Sequence, residues 1–141
     1  MRGEHARAPG DGARAPVVLI AEDDAALRAL LAEELRAEGC DVVEAKNGRE
    51  LFWFVETQSL GPIDLILSDL LMPVYNGLDV AEAWASMGPG PPIILMSAFP
   101  DAVVRQRALA LGVPLLDKPF AIDRLLELVH QLLAPRMGAV R

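Results

Sequence analysis

Short apolar runs alternate along this chain with stretches of helical period, and that alternation restricts the folds open to it more than any other feature. Val17-Val18-Leu19-Ile20-Ala21, Ile63 to Ser68 and Ile93-Ile94-Leu95-Met96 are almost continuously apolar and rich in β-branched residues. Such runs read as strands buried on both faces. Asp41 to Ala45 and Val113 to Leu116 read as two shorter strands. Between them lie the helical stretches. Leu27, Leu30, Leu31 and Leu35 recur at helical spacing, with Asp24 as a natural N-cap and Gly39 as a stop. A second helix opens at Asn47-Gly48 and runs to about Gln58, with Leu51 facing inward and Trp53 pointing nearly opposite. A third spans about Leu78 to Met87, with Val80, Ala81, Trp84 and Met87 on one stripe, before the breaker Gly88-Pro89-Gly90-Pro91-Pro92. A fourth starts at Pro100-Asp101 and ends near Leu111. The last carries Ile122, Leu125, Leu126, Val129, Leu132 and Leu133, and Leu128 widens its apolar face.

Five strands alternating with five helices predict a parallel sheet covered on both faces. Right-handed crossovers leave few strand orders, and the flavodoxin-like order 2-1-3-4-5 fits best. The expected fold is therefore a flavodoxin-like (βα)5 three-layer sandwich over residues 17–134. Residues 1–16, rich in Gly, Ala, Pro and Arg, read as a flexible tail, and 135–141 as a second one. The first tail has no apolar core of a signal peptide, and no run approaches the roughly 20 apolar residues of a membrane span. Cys40 is the only cysteine, so no internal disulfide forms. These points fit the cytoplasm. A net charge of −7 argues against a nucleic acid partner.

In a parallel sheet ligands bind at the carboxyl ends of the strands. Strand 1 ends in Glu22 and Asp23, strand 3 in Asp69, strand 4 in Ser97, and strand 5 in Lys118, followed by Pro119. Taken singly each has a bland reading. The acids serve as a helix cap and solvated turn, Asp69 and Ser97 as turn formers, Lys118 as a surface lysine. Together they put three carboxylates, a hydroxyl and an ammonium on one crevice. Crowded carboxylates suit a hard oxygen-seeking cation such as Mg2+. Lys118 and Ser97 are suited to phosphoryl oxygens, and Asp69 to nucleophilic attack on phosphorus.

With these residues in view, the chain resembles the receiver domain of two-component response regulators. The matching pieces are Leu19-Ile20-Ala21-Glu22-Asp23-Asp24, Asp69-Leu70-Leu71-Met72-Pro73 with Gly77, Met96-Ser97-Ala98 and Asp117-Lys118-Pro119-Phe120. The resemblance implies that Asp69 accepts a phosphoryl group from a histidine kinase or a histidine phosphotransfer protein. It further implies that Asp23 ligates Mg2+ directly, Glu22 through water, and Leu71 through its backbone carbonyl. Arg28 then stands at the family's usual offset, and Asp24 is left as the cap. Phosphorylation is expected to draw Ser97 inward and shift the loop and helix after strand 4.

One position departs from the pattern. Three residues before Lys118 the family often carries Tyr or Phe, and here stands Leu115. Signalling is then expected to run through the backbone around Phe99 and Pro100. Only seven residues follow Ala134, so output is expected through contact with a downstream protein, from a monomer or a weak homodimer through the last helix. The competing readings are a receiver-like interaction module that needs no phosphate, an aspartate-based phosphohydrolase and a flavin protein. A phosphohydrolase of that class usually has a second Asp at position 71, where this chain has Leu. A flavin protein wants a phosphate-binding loop where this chain has three acids. His5 and His130 offer no catalytic pairing.

Overall fold

A computed structural model describes residues 14–138 of the chain, with side chains to residue 134. Its elements are β1 (Val17–Ala21), α1 (Ala25–Ala37), β2 (Asp41–Ala45), α2 (Gly48–Thr57), β3 (Leu65–Asp69), β4 (Leu71–Met72), β5 (Tyr75–Asn76), α3 (Gly77–Ala85), β6 (Ile93–Ser97), α4 (Ala102–Leu111), β7 (Leu115–Asp117) and α5 (Ile122–Gly138). Five strands form one sheet in the order β2-β1-β3-β6-β7, and every pairing in it is parallel. This is the expected flavodoxin-like order.

The apolar runs are continuous because each strand feeds two cores. Val17, Leu19, Ala21, Ile66, Ile93 and Leu95 face Leu51 of α2, Leu78 and Ala81 of α3 and Ala108 of α4. Their alternates Val18, Ile20, Leu65, Leu67, Ile94 and Met96 face Leu31 and Leu35 of α1 and Leu125, Val129 and Leu133 of α5. A period of two with both faces covered demands apolar residues throughout. The helices that follow the strands start with side-chain caps. Asp24, Asn47, Asn76 and Asp101 each accept backbone N–H bonds from the first turn of α1, α2, α3 and α4. All four caps therefore stand at the carboxyl edge of the sheet.

Several details differ from the sequence-based expectations. Helix α3 stops at Ala85, and Met87, expected on its inner stripe, is 80% exposed. The chain is already turning toward Gly88, whose φ of +109° lies in the left-handed region. Trp84 is half-buried, with its ring edge-to-face against Phe52 at 6.1 Å. Leu128, on the broad apolar face of α5, packs into the core with α1 and β3. Trp53 is exposed, as its position opposite Leu51 predicts. Strand β3 starts two residues later than expected and takes in Asp69, while β7 covers Leu115–Asp117. Met72 and Tyr75 pair across an antiparallel hairpin, β4–β5, that apolar periodicity gave no hint of.

At the start of the chain, Arg14 forms two hydrogen bonds with Asp64, and Ala15 is buried. Residues 14–16, assigned above to a tail, are thus docked on the sheet. The rest of that assignment, 1–13 with His5, lies outside the described residues. Helix α5 continues to Gly138, past the boundary drawn at 134.

Candidate functional site

The parallel registers bring the strand ends together. Ala21 pairs with Ser68, Asp69 with Met96, and Ser97 with Asp117. Glu22 and Asp23 follow β1, Asp69 ends β3, Ser97 ends β6 and Lys118 follows β7. Carboxylate oxygens of Glu22, Asp23 and Asp69 lie within 4.8 Å of one another. Lys118 Nζ bridges two of them, at 2.7 Å from Glu22 Oε1 and 3.3 Å from Asp69 Oδ1.

The three acids are held differently. Glu22 is buried, and its second oxygen accepts the Asp24 N–H at 3.0 Å. The Arg28 guanidinium donates to the Glu22 main-chain oxygen at 2.7 Å and reaches Glu44 at 3.6 Å. Glu22 is thus fixed by three neighbours, while Asp23 is exposed on the open side of the crevice. Asp69 is buried, and its pKa is pushed up to about 6. Loss of solvent is the largest cause and the Glu22 charge the next, and Lys118 pulls the other way. Burial alone would lower the Lys118 pKa, but its bond to Glu22 and the charges of Asp69 and Glu22 outweigh that and raise it. Lys118 is therefore a fixed cation facing three carboxylates. The surplus negative charge, presented by hard oxygen atoms, is what a divalent cation such as Mg2+ neutralises. The donor set fits that ion.

A family model of the response regulator receiver domain matches residues 18–130. The chain belongs to this receiver domain family. Among curated relatives, the transcriptional regulatory protein PdtaR of Mycobacterium tuberculosis is 40% identical over 115 residues, which covers 80% of this chain and 54% of PdtaR. The chain thus spans about half the length of that relative. Among solved structures, the receiver domain of Francisella response regulator 1452 superposes with a TM-score of 0.74 at 28% identity, covering 83% of this chain and 95% of the other. The chemotaxis protein CheY4 of Vibrio cholerae does so with a TM-score of 0.72 at 26% identity, covering 84% and 98%. Receiver domains are signalling modules of two-component systems and generally bind Mg2+ at an acidic pocket. Among the described residues of this receiver domain no helix is long and apolar enough to cross a membrane.

Of the residues singled out from the sequence, Glu22, Asp23, Asp69 and Lys118 converge directly. Ser97 is buried at the end of the adjoining strand, where its carbonyl accepts the Lys118 N–H at 2.8 Å. Leu71 lies in β4, two residues past Asp69, with its side chain turned to solvent. His130 stands apart on α5, 2.9 Å from Glu38.

Gly77, part of the motif after Asp69, closes that loop, its N–H bonded to the Leu70 carbonyl. A Cβ at Gly77 would lie 3.1 Å from the Asp69 carbonyl and 2.7 Å from the Leu95 side chain, so close packing requires glycine there. The sequence-based reading passed over Ser68 and Tyr75, which are hydrogen-bonded beneath the site. The available signal for them was a hydroxyl inside an otherwise apolar buried strand, because such a group needs a partner.

Proposed function

We propose that Asp69 is the phosphoacceptor of a signalling switch, charged by a histidine kinase or a histidine phosphotransfer protein. The observation that carries this reading is the Asp69 carboxylate at the carboxyl end of β3, 3.3 Å from Lys118 Nζ and grouped with the Glu22 and Asp23 carboxylates. A carboxylate oxygen of Asp69 attacks the phosphorus of a phosphohistidine. The P–N bond breaks as the O–P bond forms, and the imidazole leaves with the electron pair and takes up a proton. Lys118, held by Glu22, offers its ammonium to a phosphoryl oxygen, and Ser97 offers its hydroxyl to another. Asp23, Asp69 and the Leu71 carbonyl would hold Mg2+, with Glu22 reaching it through water, and the ion would supply positive charge against the negative charge gathered there.

The phosphoryl group biases the conformational equilibrium only by contacts it makes in one state and not the other. Ser97 supplies such a contact and leads into Phe99, which is 92% exposed, and Pro100 before α4. Leu115, half-buried against the core, stands where an aromatic ring often couples the two. Output through the backbone of this loop to a downstream protein follows.

An intact-mass spectrum after incubation with Mg2+ and acetyl phosphate tests the reading. One phosphoryl adduct is expected on the wild type, and none on Asp69→Asn or in EDTA. If neither acetyl phosphate nor a histidine kinase yields an adduct, a phosphate-independent interaction module is the better account.

A further inference from the structure

Beneath Asp69 lies a short hydrogen-bonded chain that joins the loop after β3 back to the strand. Ser68 Oγ donates to the Asp69 main-chain carbonyl at 2.8 Å and lies 2.7 Å from the Tyr75 hydroxyl. A serine hydroxyl has one proton, and it is committed to Asp69. Tyr75 is therefore the donor, and the chain runs from Tyr75 O–H to Ser68 O–H to the Asp69 carbonyl. All three residues are buried, and low polarity strengthens such a chain. Burial also holds the Tyr75 phenol above its ordinary pKa, against the opposing Ser68 bond, so the donor stays protonated at neutral pH.

The loop this chain ties down is strained. Val74, at the tip of the β4–β5 hairpin, has φ +57°, a left-handed conformation that a β-branched residue adopts only under constraint. Such a conformation persists where neighbouring contacts over-determine it. Those contacts are visible on both sides of the hairpin: Gly77 N–H bonds to the Leu70 carbonyl, and Tyr75 bonds to Ser68. The Tyr75 ring is seated against Gly48 at the start of α2, where an added Cβ would come within 2.6 Å of the ring. Phe52 of α2 lies near it too, with ring centroids 6.3 Å apart and the rings tilted by 57°. Leu71 sits between the two anchors, in the stretch that runs from Asp69 to Tyr75.

We propose that Tyr75 is a positioning residue for the cation site: through Ser68 it fixes the Asp69 main chain, and through the hairpin it fixes the Leu71 carbonyl, so that the oxygens of both are held for Mg2+. The inference rests on reading the acidic crevice as an Mg2+ site. It concerns geometry, since Tyr75 touches neither the cation nor the phosphoryl group. Residues of this kind, which orient ligands without binding the metal, change affinity by about 10- to 100-fold when altered.

The test is calorimetric titration of the full chain with Mg2+, comparing wild type, Tyr75→Phe, Ser68→Ala and the double variant. Tyr75→Phe keeps the ring against Gly48 and removes only the hydroxyl. About tenfold weaker Mg2+ binding is expected in each single variant, with no further loss in the double variant, because both break the same chain. Val43→Ala, in the same apolar core but on β2, lowers the unfolding midpoint and leaves Mg2+ affinity unchanged, which separates positioning from general loosening. Unchanged affinity in Tyr75→Phe, losses that multiply in the double variant, or no Mg2+ binding by wild type at millimolar concentration overturns the proposal. The phosphoacceptor reading is scored separately. An acetyl phosphate adduct on wild type together with unchanged affinity in Tyr75→Phe overturns the Tyr75 role alone. Tenfold loss of affinity with no adduct on wild type overturns the phosphoacceptor reading alone.

Discussion

Asp64 and Asp69 stand at opposite ends of β3, and both are nearly excluded from solvent, at 7% and 8% exposure. Their surroundings differ in the balance of charge. Asp64 takes two hydrogen bonds from the Arg14 guanidinium, at 2.7 and 2.9 Å, and one from the Val17 N–H at 2.8 Å. It ties the incoming chain to the amino edge of the sheet. Asp69 shares a single ammonium with Glu22 and has Asp23 close by. A buried carboxylate matched by its own cation holds a fold together. One that is crowded by like charges holds a site ready for a cation that arrives later.

The largest expected effect separates the two in chemistry. Asp69→Asn abolishes the acetyl phosphate adduct seen by intact mass, and Asp64→Asn, at the far edge of the sheet, leaves it in place. An adduct that persists on Asp69→Asn, or vanishes with Asp64→Asn, breaks the comparison.

Stability reverses the order. Asp64→Ala removes the acceptor of the buried Val17 N–H, and leaving a buried donor without that bond is expected to cost about 1 to 3 kcal/mol in urea unfolding. Arg14→Ala should cost less, about 1 kcal/mol, since the Arg14 side chain is 53% exposed. Asp69→Asn in EDTA should instead raise stability at neutral pH, because it removes a repelled charge and leaves the Glu22–Lys118 bond in place.

The pH dependence follows from the same crowding. The Asp69 pKa is raised from 3.8 to about 6. The native state therefore binds this proton more tightly than the unfolded chain does. Its contribution favours folding fully below about pH 4 and is lost as pH rises through about 6. In EDTA, wild type should lose stability relative to Asp69→Asn between those values, read as a widening gap in urea midpoints. Saturating Mg2+ should close the gap by neutralising the surplus charge. A gap that does not vary with pH would mean that Lys118 already balances the acids.

Much of this contrast was legible in the residues alone. An apolar run that stops at Asp69 or at Glu22-Asp23 marks a strand end, and the strand order then brings those ends together. Lys118 followed for the same reason. The anchoring of Glu22 by Lys118 was not legible, since it joins residues far apart in sequence at a distance that only the packed helices set. Tyr75 and Ser68 meet because a hairpin folds the loop back, and hydrophobic period carries no record of a two-residue strand. Met87 was misplaced because helical period does not show where a helix ends. Asp64 needed Arg14, which composition had assigned to a tail.

The packing beneath the site gives a smaller effect. Gly48→Ala adds a methyl that would overlap the Tyr75 ring at 2.6 Å. Overpacking of this kind costs about 1 to 3 kcal/mol. The better helix propensity of alanine returns at most about 1 kcal/mol at this first helical position. A net loss of about 1 kcal/mol in urea unfolding is expected. A gain would mean that the ring has room to move.

Backbone strain gives the smallest effect and the last contrast between the two edges. Where helices return to the amino edge, four of the five left-handed positions among the described residues, 39, 61, 88 and 112, are glycines, which adopt that conformation without steric penalty, and the fifth is the unbranched Gln58 at φ +48°. At the carboxyl edge, Val74 holds φ +57° while fully exposed. Val74→Gly therefore loses no buried contact and relieves about 1 to 2 kcal/mol of strain. The freer unfolded chain takes back roughly 0.5 to 1 kcal/mol. A net gain below about 1 kcal/mol should appear in urea unfolding without Mg2+, beside a weaker hold on the ion as the hairpin loosens. Lower stability in Val74→Gly would mean that the hairpin is not strained, and that the site edge is built by the same economy as the edge opposite.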